Sequence, residues 1–429
     1  MIKKTEVIAG LSSFLACSYI VIINPAILSQ TGMPFTAVVT STVLVSAFGS
    51  IMMGLYAKNP IIIAPGMGMN AFFTFTAVSY MGLTYQEALG AVFWAGVLFL
   101  VLSIFNIREA IVNAIPVPIR HAVAAGIGLF ICFIGFQNAS FIIANPATLV
   151  SLASLKDPIN ITFLIGLLIT AVLVARNTVG GILIGILTTT LLAYPIGRFW
   201  GDASAVNFGT ATLVNYTGLF AVPDFSLLFA ADIWGGLRFA FLPVIFVFAF
   251  TDLFDSLTTF VGIAEAADLK GENGEPKNLK KSLITDAVAT LSAGLFGSSP
   301  GTAFIESAVG ISQGGRTGTT AVVAGLLFLP LMFFSPLLSL IPAIASSVAL
   351  VLVGAFMLSP IVKINWQDLS EAIPCFLAIV LIPFTYSITQ GIVFGLLSWT
   401  IIKLFTGKQK ELHPVLIVIN LLSLITFIL

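Results

Sequence analysis

Three carboxylates in the second half of the chain occupy positions where a charge is expensive. Asp252 and Asp255 lie in FLPVIFVFAFTDLFDSLTTFVGIAE (241–265), and Glu306 lies in LITDAVATLSAGLFGSSPGTAFIESAVG (283–310). Both stretches are apolar enough to enter a bilayer. An ionised carboxylate at that depth costs at least about 3 kcal/mol, and acids found there line a substrate or ion path. Close by, Gly297-Ser298-Ser299-Pro300-Gly301 interrupts what would otherwise be one continuous apolar helix. Non-helical backbone at membrane depth survives only where protein buries it or where it lines a cavity. Acids beside a broken span therefore point to a transport site. The competing reading makes them snorkelling ends of misjudged spans.

Elements must hold these residues, and the composition says of what kind. Of 429 residues, 58% are hydrophobic and 8% charged, with mean hydropathy +1.10. Repeated apolar runs of roughly 20 residues mark an all-α polytopic membrane protein embedded in membrane lipid. A formal net charge of zero gives no reason to expect nucleic acid. Cys17, Cys132 and Cys375 lie inside apolar segments with no CxxC spacing, which predicts buried small residues without a disulfide framework, metal site or cofactor. The N-terminal MIKKTEVIAG runs into a first span without a cleavage-like small-residue site, so no removable signal peptide is expected.

In order, the spans are expected at 8–28, 36–56, 60–79, 87–106, 119–143, 161–176 and 180–199, then 236–266, 283–297, 298–313, 317–334, 344–362, 370–388 and 390–406. That makes 14 transmembrane segments. Lys and Arg favour cytoplasmic loops. With the N-terminus inside, this count leaves 15 basic residues on the cytoplasmic side and only Lys156, Arg198 and Arg238 outside. Dropping one span scrambles that split. The expectation is thus a multi-pass protein of the cell (inner) membrane with both termini cytoplasmic. Residues 107–121 and 223–235 read as interfacial helices or linkers. Residues 200–222 form an outer loop, and the apolar tail from Pro414 is expected at the inner interface or against a partner.

A repeat is visible. GGILIGILTTTLL from Gly180 and QGIVFGLLSWTII from Gln390 superpose at a shift of 210, each in the seventh span of its half. Seven is odd, so the copies cross in opposite directions, a 7+7 inverted repeat with its site at the midplane. The third span of each half agrees. Pro60-IIIA-Pro65-Gly66-MGMN and Ser299-Pro300-Gly301-TAFI-Glu306 both carry Pro-Gly and a short β-prone run before a helix. Two such pieces meeting at the centre are predicted to pair as short antiparallel β segments in spans 3 and 10, with both helices starting mid-membrane and presenting unpaired N–H groups to one cavity.

The motifs that carry these features also carry a resemblance: NPAIL (24–28), MGLYAKNPIIIAPGMGMNAFF (53–73), IREAI (107–111), GIGLFICFIGF (126–136), TDLFDSLTTFVG (251–262), GSSPGTAFIESAVGISQGGRTG (297–318) and PFTYSITQGIVFG (383–395). Across almost its whole length the chain resembles the adenine/guanine/hypoxanthine permeases, a branch of the nucleobase–cation symporter-2 (xanthine/uracil permease) superfamily. The resemblance implies a core domain of spans 1–4 and 8–11 (1–106 and 236–334), a gate domain of spans 5–7 and 12–14 (107–235 and 335–406), and a tail at 407–429. It implies proton-coupled uptake of purine nucleobases by an elevator-like movement of core against gate, and a homodimer.

Carried over position by position, the resemblance puts the nucleobase-binding acid of span 8 on Asp252 and the polar reader of span 10 on Glu306. It puts the polar residue of span 3 on Asn70, and makes Asp255 a second acid that orients Asp252 or shares its proton. Asp252, Asp255 and Glu306 are the proton-coupling candidates. Phe304 and Ser307 flank Glu306 and complete the candidate substrate site, with Phe72 and Phe73 as further stacking candidates. Uracil permeases have a histidine one turn past the span-8 acid; Ser256 stands there, which leaves coupling to the acids. His121 and His413 lie elsewhere. The chemistry fits independently: carboxylates accept from ring N–H groups, helix-start N–H groups donate to ring nitrogen or carbonyl, and flat apolar walls sandwich a ring. The alternative is an anion exchanger or channel of the same architecture, which would want neutral or basic groups where Asp252 and Glu306 sit. An enzyme is not expected, because no nucleophile–base or metal constellation can be assembled.

Overall fold

The structure, a computed structural model, describes residues 3–105, 116–199, 218–267, 269, 276–413, 416 and 420. It is mostly helical. The first part comprises α1 (Lys4–Cys17), α2 (Ile20–Leu28), α3 (Phe35–Met52), strand β1 (Ile63–Pro65), α4 (Met67–Ala71, continued to Tyr80 by a wider helical winding), α5 (Tyr85–Ile104) and α6 (Val117–Asn138). A hairpin of β2 (Ile142–Asn145) and β3 (Leu149–Leu152) follows, then α7 (Pro158–Ala175) and α8 (Gly181–Phe199). The second part comprises α9 (Leu242–Ala267), α10 (Leu279–Phe296), β4 (Gly301–Ala303), α11 (Ser307–Ser312), α12 (Gly318–Phe328), α13 (Ser335–Leu338), α14 (Ala343–Met357), α15 (Leu369–Thr385) and α16 (Ile388–Phe405).

Nine helical stretches among the described residues are long and apolar enough to cross a membrane, and Gly181–Ala193 and Leu369–Thr385 are shorter apolar helices. The chain is a multi-pass membrane protein. Apolar side chains all round a helix suit burial in lipid and neighbouring helices, where packing relies on small residues that let backbones approach. Gly54 and Gly318 show this at its tightest. A Cβ on Gly318 would lie 1.9 Å from the Gly54 carbonyl oxygen, so α12 crosses the end of α3 with no room for alanine.

Packing separates the helices into two groups. In one, α1 lies against α12 and α11, α12 against α3, and α10 against α5 and α3. In the other, α14 and α15 pack on α6, α15 on α16, and α7 on α8. Between the strand pieces, β1 and β4 pair antiparallel with Ile63 opposite Ala303, Ala64 opposite Thr302 and Pro65 opposite Gly301. The pairing satisfies backbone groups that an interrupted span would leave bare at membrane depth.

The hairpin β2–β3 is absent from the sequence expectation, which carries the fifth span to residue 143; α6 stops at Asn138. There Ser140 takes a left-handed conformation (φ 55°) and Pro146 bars further helix. The Asn145 side chain then accepts from the Ala147 backbone N–H at 2.9 Å and closes the turn. Of the expected interfacial segments, 107–115, 200–217 and most of the tail lie outside the described residues. Residues 223–235 form an irregular linker, held by the Phe229 N–H to the Leu295 carbonyl (2.7 Å) and the Asp232 N–H to the Gln86 carbonyl (2.9 Å). From the tail, Leu416 and Asn420 are buried, and Asn420 Nδ2 donates to Thr400 Oγ1 on α16 at 2.6 Å.

The same end of α16 holds Lys403 with its side chain wholly buried, 2.5 Å from Glu411, 3.8 Å from Glu371 and over the Trp399 ring at 4.7 Å. Replacing a buried ion by a hydrophobe is tolerated far better than removing its partners. Lys403→Met should therefore keep the ligand-free thermal stability of the purified protein. Joint Glu371→Ala and Glu411→Ala should lower it by less than the roughly 3–5 kcal/mol of a fully buried pair, because Glu411 is half exposed. A Lys403→Met variant that melts earlier than the double glutamate variant would contradict this.

Candidate functional site

The site is built where β1 and β4 cross. Gly66 N–H donates to the Pro300 carbonyl and Phe304 N–H to the Ile62 carbonyl, both at 3.0 Å, so the pairing continues past the strands on each side. Beyond it, α4 carries Asn70 and the start of α11 carries Glu306. A strand pair between two helix starts brings residues more than 200 positions apart to one place.

Asn70 is fully buried, and its Oδ1 accepts from Ser299 Oγ at 2.5 Å. Ser299 also reaches Asn24 Oδ1 at 3.4 Å, and Asn24 Nδ2 donates to Thr42 at 2.7 Å and to Ser298 at 3.1 Å. Asn70 is thereby the last member of a buried polar chain running through α2 and α3. Glu306 is half-buried and accepts on Oε1 from the Tyr19 hydroxyl at 2.5 Å. Asp255 is also half-buried and lies in the electrostatic reach of Glu306. Around them Ile305, Thr258 and Val261 are exposed. Asp255 and Glu306 therefore form the accessible part of the acid cluster.

Asp252 does not belong to that accessible part. It is fully buried, its Oδ2 accepts from Thr290 on α10, and its Oδ1 has no hydrogen-bond partner among the described residues. The span-8 acid that the resemblance assigns to direct nucleobase contact thus points between α9 and α10. Thr290 Oγ1 also lies 2.9 Å from the Gly301 carbonyl, tying this carboxylate to β4. Ser256, where uracil permeases carry histidine, is similarly engaged. Its hydroxyl is 2.7 Å from Thr302 Oγ1 and accepts from the Ala303 N–H at 3.1 Å.

The other candidates divide in the same way. The Ser307 hydroxyl accepts from the Ile62 N–H at 2.9 Å and is fully buried, so it holds β1 in place. Phe304 packs on Tyr19 with ring centroids 6.3 Å apart. Phe72 meets Phe248 edge-on at 4.8 Å and Phe73 meets the same ring at 6.3 Å; both are buried in the core with no open face.

Asp286 and Tyr19 escape a reading of the sequence. Asp286 lies on α10 one turn before Thr290, is fully buried, and neither carboxylate oxygen has a hydrogen-bond partner among the described residues. It interacts electrostatically with Asp252 and Asp255. An acid inside the apolar run LITDAVATL is the available signal, the same one that singles out Asp252. Tyr19 carries no signal, because a tyrosine in an apolar helix is ordinary.

Residues 4–394 match the sequence model of the permease family named for xanthine and uracil permeases. The chain belongs to that permease family. Its relatives include the adenine permease AdeP of Escherichia coli (strain K12), 41% identical over 99% of this chain and 93% of that protein. The guanine/hypoxanthine permease PbuO of Bacillus subtilis (strain 168) is 41% identical over 98% of this chain and 96% of its own length. Among solved structures, the transmembrane domain of the cyanobacterial bicarbonate transporter BicA superposes with TM-score 0.64 at 16% identity, covering 91% of this chain and 97% of that one. SLC26A9 follows with TM-score 0.61 at 10% identity, covering 94% and 65%. At such identities those likenesses concern the fold alone. The permease relatives are named as transporters.

Proposed function

We propose that this protein takes up purine nucleobases across the cell membrane together with protons. The observation that carries the reading is the pair of partly buried carboxylates, Asp255 and Glu306, beside the strand pairing that also positions Asn70. A purine edge offers N–H groups to carboxylate acceptors, while Asn70 and the backbone supply donors. The names of the relatives, adenine permease and guanine/hypoxanthine permease, point to the same substrate class. Within it, Glu306 reads the ring, Asp255 assists, Phe304 lines the site, and Asn70, fully buried here with its Oδ1 held by Ser299, offers its amide NH2 group only once the site opens.

The coupling proton is assigned to Asp252 and Asp286. Two fully buried carboxyl groups in electrostatic contact, with three of four oxygens unpartnered, are costly as a pair of anions. A shared proton relieves that cost, and Thr290 connects Asp252 to β4 and so to the substrate side.

Movement follows from the division of the helices. In this reading residues 1–106 and 236–334 form the core, residues 107–235 and 335–406 the gate, in 14 spans of a 7+7 inverted repeat with both termini cytoplasmic. The contacts between them suit sliding: Thr76 Oγ1 to the Tyr386 carbonyl at 3.3 Å, Gln390 to Tyr80 at 3.1 Å, and edge-on packing of Phe75 on Phe130 and Tyr386. On another face Arg120 of α6 lies over the Phe254 ring at 5.4 Å. A homodimer formed through the gate would anchor it while the core moves.

Thermal stabilisation of the purified protein tests the reading directly. Adenine, guanine or hypoxanthine at 100 times its Kd should stabilise by about 2.7 kcal/mol, a clear shift in melting temperature. Sulfate and bicarbonate should give none, since an anion meets two carboxylates at the accessible site. Stabilisation by the anions and not by any base would replace the purine reading with anion exchange. Competition of labelled adenine uptake by unlabelled bases then ranks the purines.

A further inference from the structure

We infer that Tyr19 is a positioning residue for substrate recognition: its hydroxyl clamps the Glu306 carboxylate through Oε1, so that Oε2 is the acceptor turned to the ligand. The inference rests on the purine reading and extends it to an element outside spans 3, 8 and 10.

Tyr19 sits in the first span, at the join between the end of α1 at Cys17 and the start of α2 at Ile20. Its ring is 1% exposed and leans on Phe304, the residue two before Glu306. The ring therefore has one orientation, and its hydroxyl meets one side-chain partner, Glu306 Oε1, at 2.5 Å. That length is typical of an O–H donor on a carboxylate. Glu306 has the opposite character. It stands just ahead of the short α11, is only partly buried where Tyr19 is fully so, and has no other side-chain hydrogen bond among the described residues. A glutamate side chain held at one point only would otherwise sample several rotamers. A rigid donor fixed by core packing removes that freedom from the group that reads the substrate, which is how a preorganised site gains affinity.

Packing of the ring does not need the hydroxyl, so Tyr19→Phe removes the clamp and leaves the wall.

The test is a double-mutant cycle on the full-length protein in proteoliposomes, with adenine, guanine and hypoxanthine as probes. Tyr19→Phe should raise the KM for uptake about five- to tenfold, with the maximal rate within about twofold and the ligand-free melting temperature unchanged. In a Glu306→Gln background the same change should add no further loss, because the clamp there holds the amide with its NH2 group towards the ligand and its removal lets the carbonyl turn back. A merely structural Tyr19 predicts independent effects, and multiplying effects in the double variant would overturn the inference. So would a Tyr19→Phe protein with the parent's KM while Glu306→Gln is impaired. A parent protein that binds none of the three bases overturns the purine reading and this inference together, and is recognised before any variant is compared.

Discussion

Glu306→Gln should weaken purine binding by about tenfold or more while the protein folds and inserts as before. Glutamine keeps the size of the side chain and loses its charge. Its orientation is not free, because the Tyr19 hydroxyl donates to the Oε1 position at 2.5 Å. The amide carbonyl takes that bond and the NH2 group is turned to the ligand. A donor then faces a purine N–H, and both are left unsatisfied. Burying such a mismatch costs about 1–3 kcal/mol, a factor of roughly 5 to 150 in affinity. Titration of the purified variant by ligand-induced thermal shift measures it. A glutamine variant that binds like the parent would remove Glu306 from the site and leave Asp255 and Asn70 as the readers.

The second large effect concerns the buried acids. Asp286→Asn and Asp252→Asn should each abolish concentrative purine uptake, while exchange of purine across the membrane persists. In Asp252→Asn the amide carbonyl remains an acceptor for the Thr290 hydroxyl. At Asp286 no hydrogen bond is lost, since neither oxygen has a partner among the described residues. Neutralising it relieves a desolvated carboxyl group, so the variant should melt at the same temperature as the parent or higher. A protein that is at least as stable yet unable to concentrate its substrate distinguishes a functional acid from a structural one. In the parent, uptake should rise as the external pH falls from about 8 to 6 and collapse with a protonophore, because an inward proton gradient drives the loaded carrier. Uptake into vesicles that ignores the proton gradient and follows an imposed sodium gradient would overturn the proton assignment. Purine binding by the Asp252 variant separates the two roles of that residue. Retained binding places Asp252 in coupling alone, as its burial against α10 indicates, and lost binding returns it to the substrate.

The sequence by itself determined the class and the family, and it named most of the residues from which the proposed site is built. Apolar runs of bilayer length leave few alternatives, and an acid within such a run is informative because lipid makes it costly. Pro65-Gly66 and Pro300-Gly301 likewise marked where helix must yield to extended backbone, a local consequence of a missing N–H and a missing Cβ. The motifs around Asn70 and Glu306 fixed the family because they combine these constraints over much of the chain.

What only the tertiary structure decided is direction. Asp252 and Asp255 are three residues apart on one helix, which by sequence alone reads as a shared face. A helix packed on several sides has no single functional face, and α10 supplies Thr290 to one carboxyl group while the other stays on the accessible side. Asp286 entered for the same reason, since its burial beside Asp252 depends on how α9 and α10 pack. Ser307 shows the converse: a hydroxyl next to Glu306 is spent on the Ile62 N–H, because the backbone of a broken span claims polar side chains. Tyr19 is the furthest case. Its partner is 287 residues away along the chain, and no local pattern encodes a contact that exists only because the first span packs against the start of α11, beside the β1–β4 pairing of the third and tenth spans.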